Sequence, residues 1–376
     1  MALFSRAITL FASGCWITFT AFANPIYGDN TVVTIYPTYG YQQDNKWIIP
    51  LRLWVHERRI VAEAVAGGIV AGVNDVTPEE IANFRSRSVD FLADSKSREE
   101  VTLTFDADPL DEKLQVTDSN GRPHKSDLNG LIEGTISLTQ DRAISLLRVQ
   151  QSQHGWLSLS VTSKGHSGHG RVRLVDQEGI SVISDIDDTI KVSEIPAGPE
   201  IVVRNTFLHP YRVAPEMSVR YAAWENASFH YVSGGPWQMY DPLAGFLIGG
   251  KAGFPEGSFH MKTVRKNLFS MASWRDLTEL ITNSELTFEQ KVAQITTLME
   301  RFPRRQFILV GDSGEKDPEV YQAIRTKFPQ QVREIWIRDI VNDREIHPDR
   351  LSGMHIIPAA TVTRGVSEFG GPPLKK

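Results

Sequence analysis

The segment Ser184-Asp-Ile-Asp-Asp-Thr-Ile-Lys191 sets three carboxylates, Asp185, Asp187 and Asp188, directly after the short apolar run Ser181-Val-Ile-Ser184. Acids at the end of a buried strand are costly unless a metal or hydrogen bonds compensate them. Asp185 and Asp187 lie two apart, so one strand edge presents both to the same site. A hard cation such as magnesium takes oxygens of this kind. A solvated acidic turn is the plain alternative. An EF-hand calcium loop does not fit, because its sixth position would be Ile190 instead of glycine and its twelfth Pro196 instead of glutamate.

Three further apolar runs also end in polar residues. Phe229–Val232 leads into Ser233-Gly234-Gly235-Pro236, Gln306–Val310 into Gly311-Asp312, and Glu334–Ile337 into Arg338-Asp339. In open parallel α/β sheets, function gathers at the carboxyl ends of the strands. A helix is predicted over Phe288–Arg301, opened by a capping box of Thr287 and Gln290. Its first turn carries Lys291, where the helix dipole mildly disfavours a cation, a misfit that reads either as function or as a solvated surface lysine. Where an anionic group needs one cation beside it, Lys291 is the candidate, with Lys262 as the alternative. Asp317 precedes Pro318 and also reads as a helix cap.

Other features have plainer readings. Ser233 beside two glycines reads locally as a turn residue. Gly311-Asp-Ser-Gly314 matches a short string of trypsin-like proteases, but Glu315-Lys316 follows where Gly-Pro is expected, and the chain has no cysteine pair. His166 and His169, set among glycines, read as a solvated loop in preference to metal ligands. The apolar residues from Trp237 to Leu247 read as the buried face of a short helix before they read as an acyl-chain contact.

These residues need a frame. Two contrasting patterns divide the chain's 376 residues. Thr31–Tyr36, Trp47–Val55, Val101–Phe105, Leu131–Leu138, Trp156–Val161 and Arg171–Val175 read as strands. One helix interrupts them, with Thr77 as cap, Pro78 in the first turn and Glu80 completing a capping box. Residues 24–178 are thus expected to form a β-rich, sandwich-like domain. From Gly179 short apolar strands alternate with helices, which predicts a parallel α/β domain over 179–365, followed by a loose Gly/Pro-rich tail, 366–376. Residues 1–23 read as a signal peptide: Arg6, then an apolar stretch, then Ala21-Phe22-Ala23, so a periplasmic or secreted location is expected. The only cysteine, Cys15, falls in that segment, leaving no disulfide or thiolate zinc site after it. A formal net charge of -5 gives no basic bias toward nucleic acid.

Asp185-Ile-Asp-Asp-Thr189 resembles the Asp-x-Asp-x-Thr signature of haloacid-dehalogenase-like phosphatases. The wider string Ser184–Lys191, with Tyr231–Trp237, Gly311–Tyr321 and Ile337–Ile340, is similar to the catalytic domain of the actin-patch-associated phosphatidate phosphatase family. The resemblance covers roughly Gly179 to Asn342. It implies a haloacid-dehalogenase-like parallel sheet with flanking helices. It also implies a magnesium-dependent phosphatase that hydrolyses phosphomonoesters through an aspartyl-phosphate. Asp185 would be the nucleophile, Asp187 the general acid and base, and Ser233 and Lys291 the groups on the phosphoryl oxygens. Thr189, Lys191 and Gly234 would contact substrate. Asp185, the carbonyl of Asp187, Asp312 and Asp317 would hold Mg2+. The implied substrate is phosphatidate, with a peripheral membrane contact. Export leaves a soluble phosphomonoester or a non-catalytic binding role as alternatives, and residues 193–224 are expected to shape selectivity as a flap.

Overall fold

Alternation of apolar and polar residues builds the first half of the chain. The computed structural model describes residues 30–58, 76–118, 120–224, 226–248, 250, 252–263 and 284–362. The expected signal segment and the tail lie outside them. Strand β1 (Thr31–Ile35) and β2 (Thr38–Gln43) lie along one side of β3 (Lys46–Glu57), which alternates buried and less buried residues from Trp47 to Leu53. Helix α1 (Pro78–Ser88) begins with the expected capping box of Thr77 and Glu80. Then come β4 (Asp94–Ser95), β5 (Thr102–Phe105), β6 (Leu114–Gln115), β7 (Leu131–Thr139), α2 (Gln140–Val149), β8 (Trp156–Ser163) and β9 (His166–Leu174).

The expected β-rich region is present, but its strands join into one nine-stranded sheet. The sheet curls so that β1 crosses β9, where only glycine fits: a Cβ on Gly168 would fall 1.8 Å from the Val33 carbonyl oxygen. The histidines expected in a loop are in β9 instead. His169 Nδ1 is 3.1 Å from Ser160 Oγ, and a three-residue spacing along a strand puts His166 on the opposite face.

Helix α1 docks on the second half of the molecule. Arg87 Nη1 donates to the carbonyls of Thr206 and His209 at 3.1 and 2.7 Å, and Phe84 meets Phe207 at 5.7 Å between ring centroids. The segment that α1 grips, Arg204–Leu208, is a π-helical turn in the stretch after the acidic motif.

The second sheet has six strands: β10 (Ile180–Ser184), β11 (Ser228–Pro236), β12 (Gly257–Lys262), β13 (Gln306–Asp312), β14 (Val332–Asp339) and β15 (His355–Pro358). Helix α3 (Tyr240–Leu247) follows β11, α4 (Ser284–Arg301) precedes β13, and α5 (Asp317–Lys327) follows it. The order is β12-β11-β10-β13-β14-β15 and every adjacent pair is parallel. Successive residues point to opposite faces. Val182, Ile308 and Val310 join a core with Phe229 and Tyr231, whereas Ile183, Phe307 and Leu309 join one with Leu298 and Phe302 of α4 and its following turn. The chain passes from the β10–β12 side to the β13–β15 side beside β10, and such a switch point leaves a crevice at the carboxyl ends.

Two helix starts differ from expectation. Helix α4 begins at Ser284, so Thr287 and Gln290 lie inside it and form no capping box. Lys291 is then beyond the first turn, and the dipole argument against it does not apply. Asp317 is the first residue of α5, but no side chain caps that helix, because the Asp317 carboxylate faces inward. Trp237, Met239, Leu243 and Leu247 are buried, as the core reading of that stretch required.

Candidate active site

The carboxyl ends of β10 and β13 bring Asp185, Asp312 and Asp317 together. One oxygen from each lies within 4.8 Å of the others. The first backbone step after β10 is tied to β13 by the bond from Asp185 N to the Val310 carbonyl at 2.9 Å, which fixes Asp185 over the crevice. Lys291 reaches in from α4. Its Nζ donates to Asp185 Oδ1 at 2.8 Å and to Asp317 Oδ1 at 2.6 Å. Thr189 Oγ1 donates to Asp185 Oδ2 at 3.0 Å. Gly311 admits Asp317 to this group, since a Cβ there would fall 2.4 Å from Asp317 Oδ2.

The three acids and Lys291 are each no more than 2% exposed. Burial pushes the Asp185 carboxyl well above its usual range; Asp317 and Glu315 add to this and Lys291 opposes it. Burial likewise raises Asp312, reinforced by Asp317 and Asp185. Burial disfavours the Lys291 ammonium, yet Asp185 and Asp317 more than offset it and hold Lys291 well above the usual lysine range. One lysine cannot balance three carboxylates, so the group favours a further positive charge. Asp312 indicates where that charge fits. Its Oδ1 accepts from Gly314 N at 2.6 Å, while its buried Oδ2 has no hydrogen-bond partner among the described residues. An all-oxygen set with one orphaned carboxylate oxygen suits a hard divalent cation.

Asp187 belongs to a neighbouring arrangement. Its Oδ1 accepts from Lys191 Nζ at 2.6 Å and from Ser193 Oγ at 2.5 Å. Burial would raise Asp187, but Lys191 and these bonds hold it below the ordinary range. Lys191 is only 1% exposed, and its ammonium also bonds Ser193, so in this structure it serves Asp187. The third acid of the motif has another job. Asp188, at φ 57°, accepts from the backbone N–H groups of Ser193, Glu194 and Ile195 and so folds the following loop.

Ser233 and Gly234 lie at the end of β11, adjacent to β10. Ser233 Oγ accepts from Gly235 N at 2.9 Å, the local turn use, and Gln290 of α4 donates to the Ser233 carbonyl at 3.2 Å. Lys262, at the end of β12, is partly buried, which lowers its pKa, with Glu315 opposing. Ser313 is buried, and its Oγ donates to Asp339 Oδ1 at 3.0 Å and accepts from the Ile340 N–H, with no hydrogen bond to a histidine among the described residues, so the protease string is structural. Arg338 donates to the Asp188 carbonyl at 2.7 Å and ties β14 to the acidic loop.

Sequence reasoning passed over two residues. Ser193 shares Asp187 with Lys191, and its spacing of two from Lys191 was the available signal. Glu315 is raised to about 7 by burial, with Lys291 opposing and Asp317 adding; its place beside the metal-type acids became visible only with the loop folded.

The comparisons fall on this same part of the chain. Residues 180–339 match the family model for the catalytic domain of phosphatidate phosphatase APP1. Residues 180–339 belong to the APP1 catalytic-domain family. Phosphatidate phosphatase APP1 of Saccharomyces cerevisiae is 34% identical over 169 residues, covering 44% of this chain and 26% of that protein. An uncharacterized protein of Schizosaccharomyces pombe is 30% identical over 178 residues, 46% of this chain and 27% of its own length. The match therefore spans about a quarter of these curated relatives. Among solved structures, the siderophore interacting protein from Acinetbacter baumannii covers 85% of this chain and 95% of its own, at 10% identity and a TM-score of 0.20, which supports no fold assignment.

Proposed function

We propose that this chain is a magnesium-dependent phosphatase that hydrolyses phosphatidate to diacylglycerol and phosphate, with Asp185 as nucleophile in a haloacid-dehalogenase-like domain. The observation that carries the reading is the placement of Asp185. It stands at the end of the central strand, with Lys291 on one oxygen, Thr189 on the other, and Asp312 and Asp317 beside it. The APP1 match over the same residues supplies the substrate class.

A carboxylate oxygen of Asp185 would attack phosphorus, forming an acyl phosphate as the bond from phosphorus to the leaving oxygen breaks. The leaving oxygen takes a proton from Asp187, which the negative charge of the bound phosphate would favour in its protonated form against the pull of Lys191. Water then attacks the aspartyl-phosphate, Asp187 takes its proton, and phosphate and free Asp185 result. Lys191 and Ser193 both bond Asp187 Oδ1, which leaves Oδ2 as the oxygen to exchange the proton. Lys291 and Ser233 are placed in the reading as donors to phosphoryl oxygens. Asp185, Asp312, Asp317 and the Asp187 carbonyl are the groups that would hold magnesium. When bound, the ion offsets the repulsion between carboxylate and phosphate. Export is part of the proposal through residues 1–23 alone.

The substrate is tested by comparing phosphate release from phosphatidate in detergent micelles with release from glycerol phosphate, each with magnesium and with chelator. Magnesium-dependent release preferring phosphatidate is expected. Release from glycerol phosphate alone would keep the chemistry and replace the lipid with a soluble monoester.

A further inference from the structure

The two sheets meet along β12 and α4 in a cleft of about 660 Å³, a size that takes small molecules. Tyr36, Tyr39, Leu51, Trp237, Phe259 and Met261 give it an apolar wall. Thr135 of β7 and Thr297 of α4 also line it. Arg52 stands over Trp237, 4.6 Å from the ring centroid, and pairs with Glu133. Its buried Nε–H has no hydrogen-bond partner among the described residues.

This cleft runs up to the catalytic edge. Gln294, which lines it, donates to the Met261 carbonyl at 3.2 Å, and one turn earlier on α4 Gln290 donates to the Ser233 carbonyl at the same distance. Lys291, between them, holds Asp185. A Cβ on Gly235 would lie 3.2 Å from Ser233 Oγ and 3.6 Å from Met261 Cε. The serine loop therefore lies against Met261 of the cleft wall at Gly235.

We propose that the cleft receives an acyl chain of the substrate while its phosphate sits at Asp185. This rests on the phosphomonoesterase reading above. Asp118, His124, Glu133 and Arg301 line the rest of the cleft, and its apolar part suits an acyl chain, since each buried methylene favours binding.

The test uses the full chain with magnesium and n-alkyl phosphates of increasing length, all below their micellar concentrations. The expected result is a kcat/KM that climbs with length, by up to about fourfold per buried methylene. Thr297→Trp, which fills the cleft from an exposed position on α4, should flatten the series, and Thr135→Trp does the same from the opposite sheet. Calorimetric titration with the same alkyl phosphates gives a second readout. A flat series in the wild type, or a slope that survives both substitutions, overturns the cleft. If no alkyl phosphate is hydrolysed, the phosphatase reading fails, and the calorimetric series still decides the cleft.

Discussion

Lys291 and Asp185 are 106 residues apart in sequence and 2.8 Å apart in space, both almost fully buried. The lysine also holds Asp317 at 2.6 Å. Removing one partner of a buried ion pair leaves uncompensated charge, which typically costs about 3–5 kcal/mol. Lys291→Met is therefore expected to lose stability on that scale in urea unfolding without divalent cations. A loss below about 1 kcal/mol would show that the group does not depend on this cation.

Asp312 is the test of the metal site that needs no turnover. Its Oδ1 shapes the loop through Gly314 and Glu315, while Oδ2 is unanswered. Asp312→Asn keeps the loop acceptor and removes the charge. In thermal unfolding, magnesium at a hundred times its dissociation constant should stabilise the wild type by about 2.7 kcal/mol and the variant far less. Equal stabilisation of both would place the ion elsewhere.

A buried and a half-buried histidine, His230 and His260, set an acid limit on stability. His230 is held well below its usual value of 6.5, first by burial and then by His260, Arg305 and Arg173. His260 is pushed down to about 3 by burial and Arg301. Both pKa values are lower folded than unfolded, so the unfolded chain binds more protons below pH 6.5. Stability is full above that pH and falls as pH drops, by up to about 1.4 kcal/mol per unit for each histidine. Urea midpoints measured from pH 7.5 to 5.5 should show the decline, and His230→Gln should lessen it. A flat profile would contradict the assignment.

Ser313 separates the phosphatase reading from the protease string. Its Oγ donates to Asp339 and accepts from Ile340 N at 2.9 Å, so Ser313→Ala is expected to cost about 1–3 kcal/mol in stability. Phosphate release should persist below the lowered melting temperature. Loss of catalysis in a folded Ser313→Ala protein would move the nucleophile away from Asp185.

The strands that carry the site were legible because they are short apolar runs ending abruptly in polar residues: Ser181–Ser184, Phe229–Val232, Gln306–Val310. The edges were not. Strand β12 reads Gly-Ser-Phe-His-Met-Lys and β2 reads Thr-Tyr-Gly-Tyr-Gln-Gln, both too mixed for a periodicity to stand out. Strand β15 has only four residues. The cap assigned to Asp317 failed for a tertiary reason. Lys291, from another helix, draws the carboxylate inward, and no local pattern records that. The placement of Lys191 against Asp187 is similar, since the four-residue spacing was visible but the turn that closes it depends on Asp188 gathering three backbone N–H groups.

The most direct test of the account is the covalent step at Asp185. The purified chain is mixed with phosphatidate micelles and magnesium, quenched in acid, and mapped by mass spectrometry beside Asp185→Asn. The account predicts magnesium-dependent phosphate release and a phosphorylated peptide containing Asp185, both absent in a folded Asp185→Asn protein. Near wild-type release from Asp185→Asn, or a phosphoryl group trapped on another residue, would contradict it.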